Sequence, residues 1–252
     1  MAKFTIYPIY MGDNDHDISY FVLKAEPGII RKMSLGCIAI RNNDTGEVTL
    51  LDTGYPTKEE IIENALPYNY VLEVDGYRTL VDALAEADIK AEEVTRICLS
   101  HLHSDHAWNL QLFRKDIPIY VQRKEVEHAI APWKVERNSY QVIDKPGCPG
   151  WMRGIEQFVL QDGDYEIEPG LNALFTPGHT CGSQSFLVDT EDGKYIYVGD
   201  LYYAEENWIN SVPTGWYYSM DMWYRSNEKV LGIGAKILSV HVKSTFDKKV
   251  YG

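Results

Sequence analysis

Residues 100–106, Ser100-His101-Leu102-His103-Ser104-Asp105-His106, put three imidazoles and a carboxylate directly behind the buried-looking strand at 96–99. A buried strand that spills into a loop of this composition reads as the edge of a sheet, where sheet-and-helix folds build their sites. Alternate side chains leave an extended segment on the same side, so His101 and His103 can converge on one point, with Asp105 and His106 close behind. Protonated together, these side chains would repel one another, and burying them without a compensating charge would be costly. Neutral imidazole nitrogen and carboxylate oxygen are donors that zinc accepts, so the run is read as a metal-binding motif.

The chain has seven histidines, and five of them, the three above with His179 and His241, fall at the ends of apolar runs or in tight turns. His179 sits in Thr176-Pro177-Gly178-His179-Thr180, and Asp200 follows the apolar run 195–198 and Gly199. Taken singly, each has an ordinary alternative. Asp after Gly is a common turn former, and His241, in Leu238-Ser239-Val240-His241-Val242, would serve as an interior strand histidine. Their order and placement behind strands make them partners for the 101–106 run. His16 and His128 stand apart and are expected to be surface or hydrogen-bonded core residues.

Outward from this motif, the first part of the chain reads as a β-meander with strands at 4–10, 19–23, 37–41 and 48–51. Thr57 followed by Glu59 and Glu60 predicts a helix start, and Leu80, Val81 and Leu84 predict a helix over 77–87. Behind strand 96–99 a helix is expected from near Ala107, then a strand at 117–121 and a helix from about Lys124. Further strands are expected near Phe158 and at 173–175, 185–188 and 195–198. The Pro- and Gly-containing segment 132–154 reads as a loop or lid within a single α/β domain spanning 1–252.

A formal net charge of -13 argues against nucleic acid as partner, because phosphate binding needs clustered Lys and Arg. No apolar run approaches the roughly 20 residues of a membrane helix, and residues 1–7 lack the features of a secretory leader. A soluble, cytoplasmic protein is expected. The four cysteines, Cys37, Cys98, Cys148 and Cys181, form no C-x-x-C pair and read as free thiols. Cys181 lies close to His179 but lacks the base partner that a thiol nucleophile needs.

With Pro177-Gly178-His179-Thr180, Gly199-Asp200 and His241, the H-x-H-x-D-H run resembles the metallo-β-lactamase superfamily, and within it the N-acyl-homoserine lactone lactonases. The likeness extends along most of the chain through Leu51-Asp52-Thr53-Gly54, Val121-Gln122-Arg123, Gly163-Asp164-Tyr165-Glu166, Pro169-Gly170 and residues 205–213. It implies an α/β fold, the αβ/βα sandwich of two mixed β-sheets flanked by helices, with metals at one edge. It also implies two divalent metal ions, zinc ahead of iron, manganese or cobalt. His101, His103 and His179 would hold the first, Asp105, His106 and His241 the second, and Asp200 would bridge them. A tyrosine shortly after the bridging aspartate is expected as an oxyanion donor; Tyr203 stands at the matching position, with Tyr202 as its rival. The chain departs from the lactonase pattern at Trp108-Asn109, where lactonases carry glycines, and at Cys181-Gly182-Ser183, where they carry Pro-Gly-His. The aromatic stretch 208–224 sits where family members build substrate-contacting surface, with core or loop packing as the competing reading.

The implied reaction is hydrolysis, in which a hydroxide shared by the metals attacks a lactone or related ester-like carbonyl while Asp105 passes a proton to the leaving alkoxide. An N-acyl-homoserine lactone-like substrate is favoured, with a cyclic amide, aryl ester or phosphoester as alternatives on the same centre. Redox di-iron chemistry would call for an acid where His103 stands, and a non-enzymatic binding module would have lost ligands. The expected partners are a small-molecule substrate and, left open, a second copy in a homodimer, with no nucleic acid and no membrane.

Overall fold

The computed structural model describes residues 3–144 and 149–252; Cys148 and part of the expected 132–154 loop lie outside the described residues. Strands β1 (Phe4–Asp17), β2 (Ile30–Asn42) and β3 (Val48–Leu51) pair antiparallel, as the meander reading expects. β4 (Val94–Cys98), β5 (Ile119–Gln122) and β6 (Phe158–Gln161) join them in parallel, giving a six-stranded sheet in chain order. A second, five-stranded sheet runs β11-β10-β9-β8-β7, from β7 (Tyr165–Glu168), β8 (Leu171–Phe175), β9 (Gln184–Thr190), β10 (Gly193–Tyr197) and β11 (Lys236–Leu238).

The pleat explains the layering. In β2, Leu35, Cys37 and Ala39 pack into one core while the alternate Ile38 and Ile40 enter another. That second core holds Phe4 and Ile6 of the first sheet against Leu171, Phe186 and Val188 of the second, so it fills the space between the sheets. The first core continues outward to helices α2 (Lys58–Asn64) and α3 (Leu80–Glu86), through Ile61, Leu80, Ala83 and Leu84. A third places Trp223 and Val230 of helix α6 (Met220–Ile233) on Ile196 and Val198. The order helix, sheet, sheet, helix is the expected αβ/βα sandwich. Among the described residues no helix is long and apolar enough to cross a membrane.

Local chemistry moved several expected boundaries. Residues 19–23 form no strand: β1 runs on to Asp17, whose carboxylate accepts from the Ser19 and Gly28 amides and caps the short helix α1 (Ile18–Phe21). Thr57 caps α2 in a reciprocal box with Glu60, as its sequence predicts. Helix α3 starts only after the Thr79 cap, and its third core residue is Ala83, while Val81 is half exposed. No helix starts at Ala107: after the His106 and Ala107 amides close a turn on the His103 carbonyl, the Trp108 amide bonds the Gly54 carbonyl and the Asn109 amide bonds Thr53 Oγ1, and only a 3-10 turn, Leu110–Leu112, follows. Helix α4 (Arg123–Ile130) begins next to the expected Lys124, and α5 (Glu205–Ile209) completes the set.

Candidate metal centre

The residues singled out in the sequence come together at one edge of the sandwich. His101, His103, Asp105 and His106 follow β4, His179 lies in the β8–β9 loop, and Asp200 and His241 follow β10 and β11. Ligand atoms of His101, His103, His179 and Asp200 lie within 4.8 Å of one another, as do those of Asp105, His106 and His241. Asp200 faces both sets: its Oδ1 is 3.0 Å from His106 Nε2 and 2.9 Å from His241 Nε2, and its Oδ2 is 3.2 Å from His179 Nε2 and 3.4 Å from His101 Nε2. Asp105 completes the second set, 3.6 Å from His106 and 3.9 Å from His241.

The far nitrogen of each ring decides which atom points inward. His106 Nδ1 donates to Asp52 Oδ2 at 2.8 Å, His179 Nδ1 to the Trp216 carbonyl at 3.1 Å and His241 Nδ1 to the Ser34 carbonyl at 3.0 Å. Ser100 Oγ donates to Asp52 Oδ2 at 2.7 Å and thereby accepts from His101 Nδ1 at 3.0 Å. Four imidazoles are thus held as Nδ1–H tautomers with their Nε2 lone pairs turned to the centre. His103 is the exception, presenting Nδ1 to His179 Nε2 at 3.1 Å. Nε2 of His101, His106 and His241 and Oδ1 of Asp200 are buried without a hydrogen-bond partner among the described residues. Acceptors crowded against acceptors are what a cation would satisfy, so this donor set fits two divalent ions.

Electrostatics divide the two sets. Burial, reinforced by the neighbouring His101 and His179, holds the His103 imidazole well below the usual histidine range, and burial takes His179 down to about 4. Burial also works against protonation of His106 and His241, but Asp200 and Asp105 outweigh it and hold both above the ordinary value.

Support around the centre was only partly legible. Asp52 has φ +63° and accepts from the Ser100 amide at 2.6 Å and the Tyr197 hydroxyl at 2.5 Å besides His106 and Ser100 Oγ. Buried Glu125, in the first turn of α4, accepts from the Leu102 amide at 3.0 Å, Thr180 Oγ1 at 2.6 Å and the Gly182 amide at 3.1 Å, tying two ligand loops together. Gly182 lies so close that a Cβ there would meet the Glu125 backbone nitrogen at 2.3 Å. Asp52 and Glu125 each follow a strand; beyond that, the sequence marks Asp52 only as part of the Leu51-Asp52-Thr53-Gly54 likeness.

Tyr203 rather than Tyr202 reaches the centre. Its hydroxyl donates to Asp200 Oδ2 at 2.9 Å, whereas Tyr202 donates to Asn227 at 2.7 Å and packs with Trp208 and Trp223. Buried Asn207 fixes Tyr203 by accepting from the amides of Tyr203 and Ala204, both at 2.8 Å. The departures from the lactonase pattern are packing features. Trp108 is buried and donates to Glu60 at 3.0 Å, and Asn109 donates to the carbonyls of Thr53 and Tyr55. Burial pushes the Cys181 thiol up to about 12, against a nucleophilic role. His128 donates to Glu136 at 2.7 Å, as a hydrogen-bonded histidine should, but His16 lines the cavity beside the centre, where the sequence reading did not place it. Of the aromatic stretch, Trp216 lines that cavity and Trp223 is core.

The metallo-beta-lactamase superfamily pattern matches residues 37–239, which bracket the whole constellation except His241. The chain belongs to the metallo-beta-lactamase superfamily. A Bacillus protein named N-acyl homoserine lactonase is 32% identical over 196 residues, 74% of this chain and 71% of that protein. A Bacillus thuringiensis AiiA variant, crystallised with N-decanoyl-L-homoserine at its active site, superposes with a TM-score of 0.74 at 25% identity over 95% of this chain and 93% of that one. A probable metal-dependent hydrolase from Staphylococcus aureus shares the fold, with a TM-score of 0.76 at 16% identity over 99% of this chain and 96% of that one. As a member of this superfamily with lactonase relatives, the chain is a metal-dependent hydrolase that uses divalent cations.

Proposed function

We propose that this hydrolase opens a lactone ring, with N-acyl-homoserine lactones as the favoured substrates. The observation that carries the reading is the split environment of Asp200, one oxygen towards each ligand set, with the Tyr203 hydroxyl on the second oxygen and an open cavity beyond. His101, His103 and His179 would hold one cation, Asp105, His106 and His241 the other, and Asp200 both. When bound, two such cations supply Lewis acidity and lower the pKa of water from about 15.7 towards about 7.

The protein's own groups do the rest. Burial, with Asp200 and Asp105 nearby, holds the Tyr203 phenol well above its usual range, so it stays protonated and, turned from Asp200 to the substrate, can donate to a carbonyl oxygen as that oxygen gains charge. Asp105 is partly exposed on the cavity wall, where it can take the proton that the attacking water gives up and return it to the departing ring oxygen. The cavity measures about 200 Å³, below the roughly 300–1,000 Å³ typical of drug-sized ligands, which suits a compact ring.

Metal analysis and pH-monitored hydrolysis of acyl-homoserine lactones, simple γ-lactones, aryl esters, cyclic amides and phosphotriesters test the proposal, with His106→Ala as control. Two cations per chain and lactone turnover that is lost in the variant are expected. Bound cations with activity only on an amide or phosphoester would overturn the lactone assignment and leave the centre standing.

A further inference from the structure

Two polar atoms on the cavity wall have no role in the centre. His16 Nε2 is buried and lacks a hydrogen-bond partner among the described residues, the buried Tyr70 hydroxyl has only Ser104 beside it, and His16, Tyr70 and Ser104 all line the cavity that Asp105, Tyr203 and His241 also line. Their placement is built. His16 lies two residues after Asn14 on β1, and the Asn14 side chain donates to the Tyr70 carbonyl at 2.6 Å, tying the 3-10 turn Asn69–Glu73 to that strand. The His16 ring packs on Tyr20 and Phe21, at centroid distances of 5.6 and 6.4 Å, which limits how it can turn. A buried polar atom left without a partner costs stability, so an unpartnered imidazole nitrogen on a residue of the cavity wall, with a phenol on the same wall, marks a place where a ligand supplies the missing bond.

We propose that His16 and Tyr70 form a recognition point for a neutral hydrogen-bonding group, a secondary amide, carried by the substrate beside the scissile ring. This rests on the reading of the centre as a lactone-opening site. The polarity of the wall selects the group. Among the described residues neither Lys nor Arg lines the cavity, so no side chain there pairs with an anionic substituent, while a cationic one meets the charge of the cations the centre is built to hold. Burial and the neighbouring His241 keep the His16 imidazole below its ordinary range and therefore uncharged at neutral pH. A neutral imidazole nitrogen and a phenolic O–H together can accept from an amide N–H and donate to its carbonyl.

The test compares wild type, His16→Leu and His16→Asn on two substrate pairs, each pair differing only in an acylamino group. One pair is N-butanoyl-homoserine lactone and an alkyl γ-lactone of matched length; the other is a pair of aryl esters with and without an α-acylamino group. Metal content and circular dichroism are measured on every variant. His16→Leu is expected to lose roughly tenfold or more in kcat/KM on the amide-bearing member, mainly through KM, with little change on its partner. His16→Asn should recover part of the loss. An equal fall on both members of a pair, or none on either, overturns the role of His16. Wild-type turnover of the esters alone overturns the lactone reading, and the ester pair still decides His16. Turnover of neither pair overturns both.

Discussion

Asp52→Asn removes one charge and no heavy atom from the residue on which both ligand sets lean. Asparagine tolerates the left-handed region, so the φ of +63° adds no backbone strain. Asp52 Oδ2 accepts from Ser100 Oγ, His106 Nδ1 and Tyr197, while Oδ1 accepts from the Ser100 amide. An amide group has only one acceptor oxygen. Turned towards the three donors, it leaves the Ser100 amide facing an NH2 group, at about 1–3 kcal/mol; turned the other way, it strands three donors, so the first orientation wins. His106 then keeps its Nδ1–H tautomer but donates to a neutral oxygen, which makes Nε2 a poorer ligand. Partners of this kind are worth roughly 10- to 100-fold in metal affinity, so the second cation should weaken by that much. His101 feels the change only through Ser100, and the first cation should weaken less. Competition against a chelator of known affinity, with circular dichroism to confirm the fold, reads both constants. Wild-type affinity at both positions, or an equal loss at both, would refute this account of Asp52.

Tyr203→Phe should lower kcat by on the order of 10²-fold while both cations stay bound; Tyr202→Phe should leave kcat unchanged because its hydroxyl serves Asn227, and an unaffected Tyr203→Phe enzyme would remove the oxyanion role. Acidification should release the second cation before the first. In the metal-free protein His106 and His241 are held above the ordinary histidine range and His179 falls to about 4, so protons compete at the second set as pH drops through the raised values. Cation occupancy followed against pH checks the order, and simultaneous release would contradict it. Trp216 stacks on Tyr20 at 6.2 Å and 13°, and both line the cavity, while only the Trp216 backbone serves His179. Trp216→Ala should therefore raise kcat/KM for long-chain over short-chain acyl-homoserine lactones by about tenfold, and an unchanged chain-length profile would show that this wall does not limit the substrate.

The residues of the centre were legible because strand ends and metal-binding chemistry leave the same trace: an apolar run followed by His or Asp. The supports were harder to read. Asp52 stands in a strand-to-turn segment where an aspartate has many uses, and only the fold brings Tyr197 to it from the second sheet. Glu125 looks like an ordinary first-turn helix acid until α4 is seen to bury it between the 101–106 loop and the turn at Thr180. His16 was set aside because it lies in no ligand pattern; what places it at the cavity is the length of β1, which runs seven residues past the expected end at Tyr10 to Asp17. The helix expected at Ala107 failed because the Trp108 and Asn109 amides bond Gly54 and Thr53, partners distant in sequence that only the fold brings near.

The centre also joins the two halves of the sandwich. Four ligand candidates follow β4 of the first sheet, and three come from the second, so no cation position is complete on one sheet alone. The supports repeat the division: Asp52 of the first sheet is bonded by Tyr197 of the second, and Glu125, behind β5, holds the His179 loop. Asp52 and Glu125 each accept from donors of the opposite half, which helps make their burial tolerable, whereas Asp200 lies between imidazoles of both halves. Gly199, with φ +52°, lets the end of β10 pass Ser100 where a Cβ would meet the serine Cβ at 2.8 Å. The close approach that brings Asp200 between the two histidine sets is therefore the same contact that docks the second sheet on the first, and loosening either would loosen both.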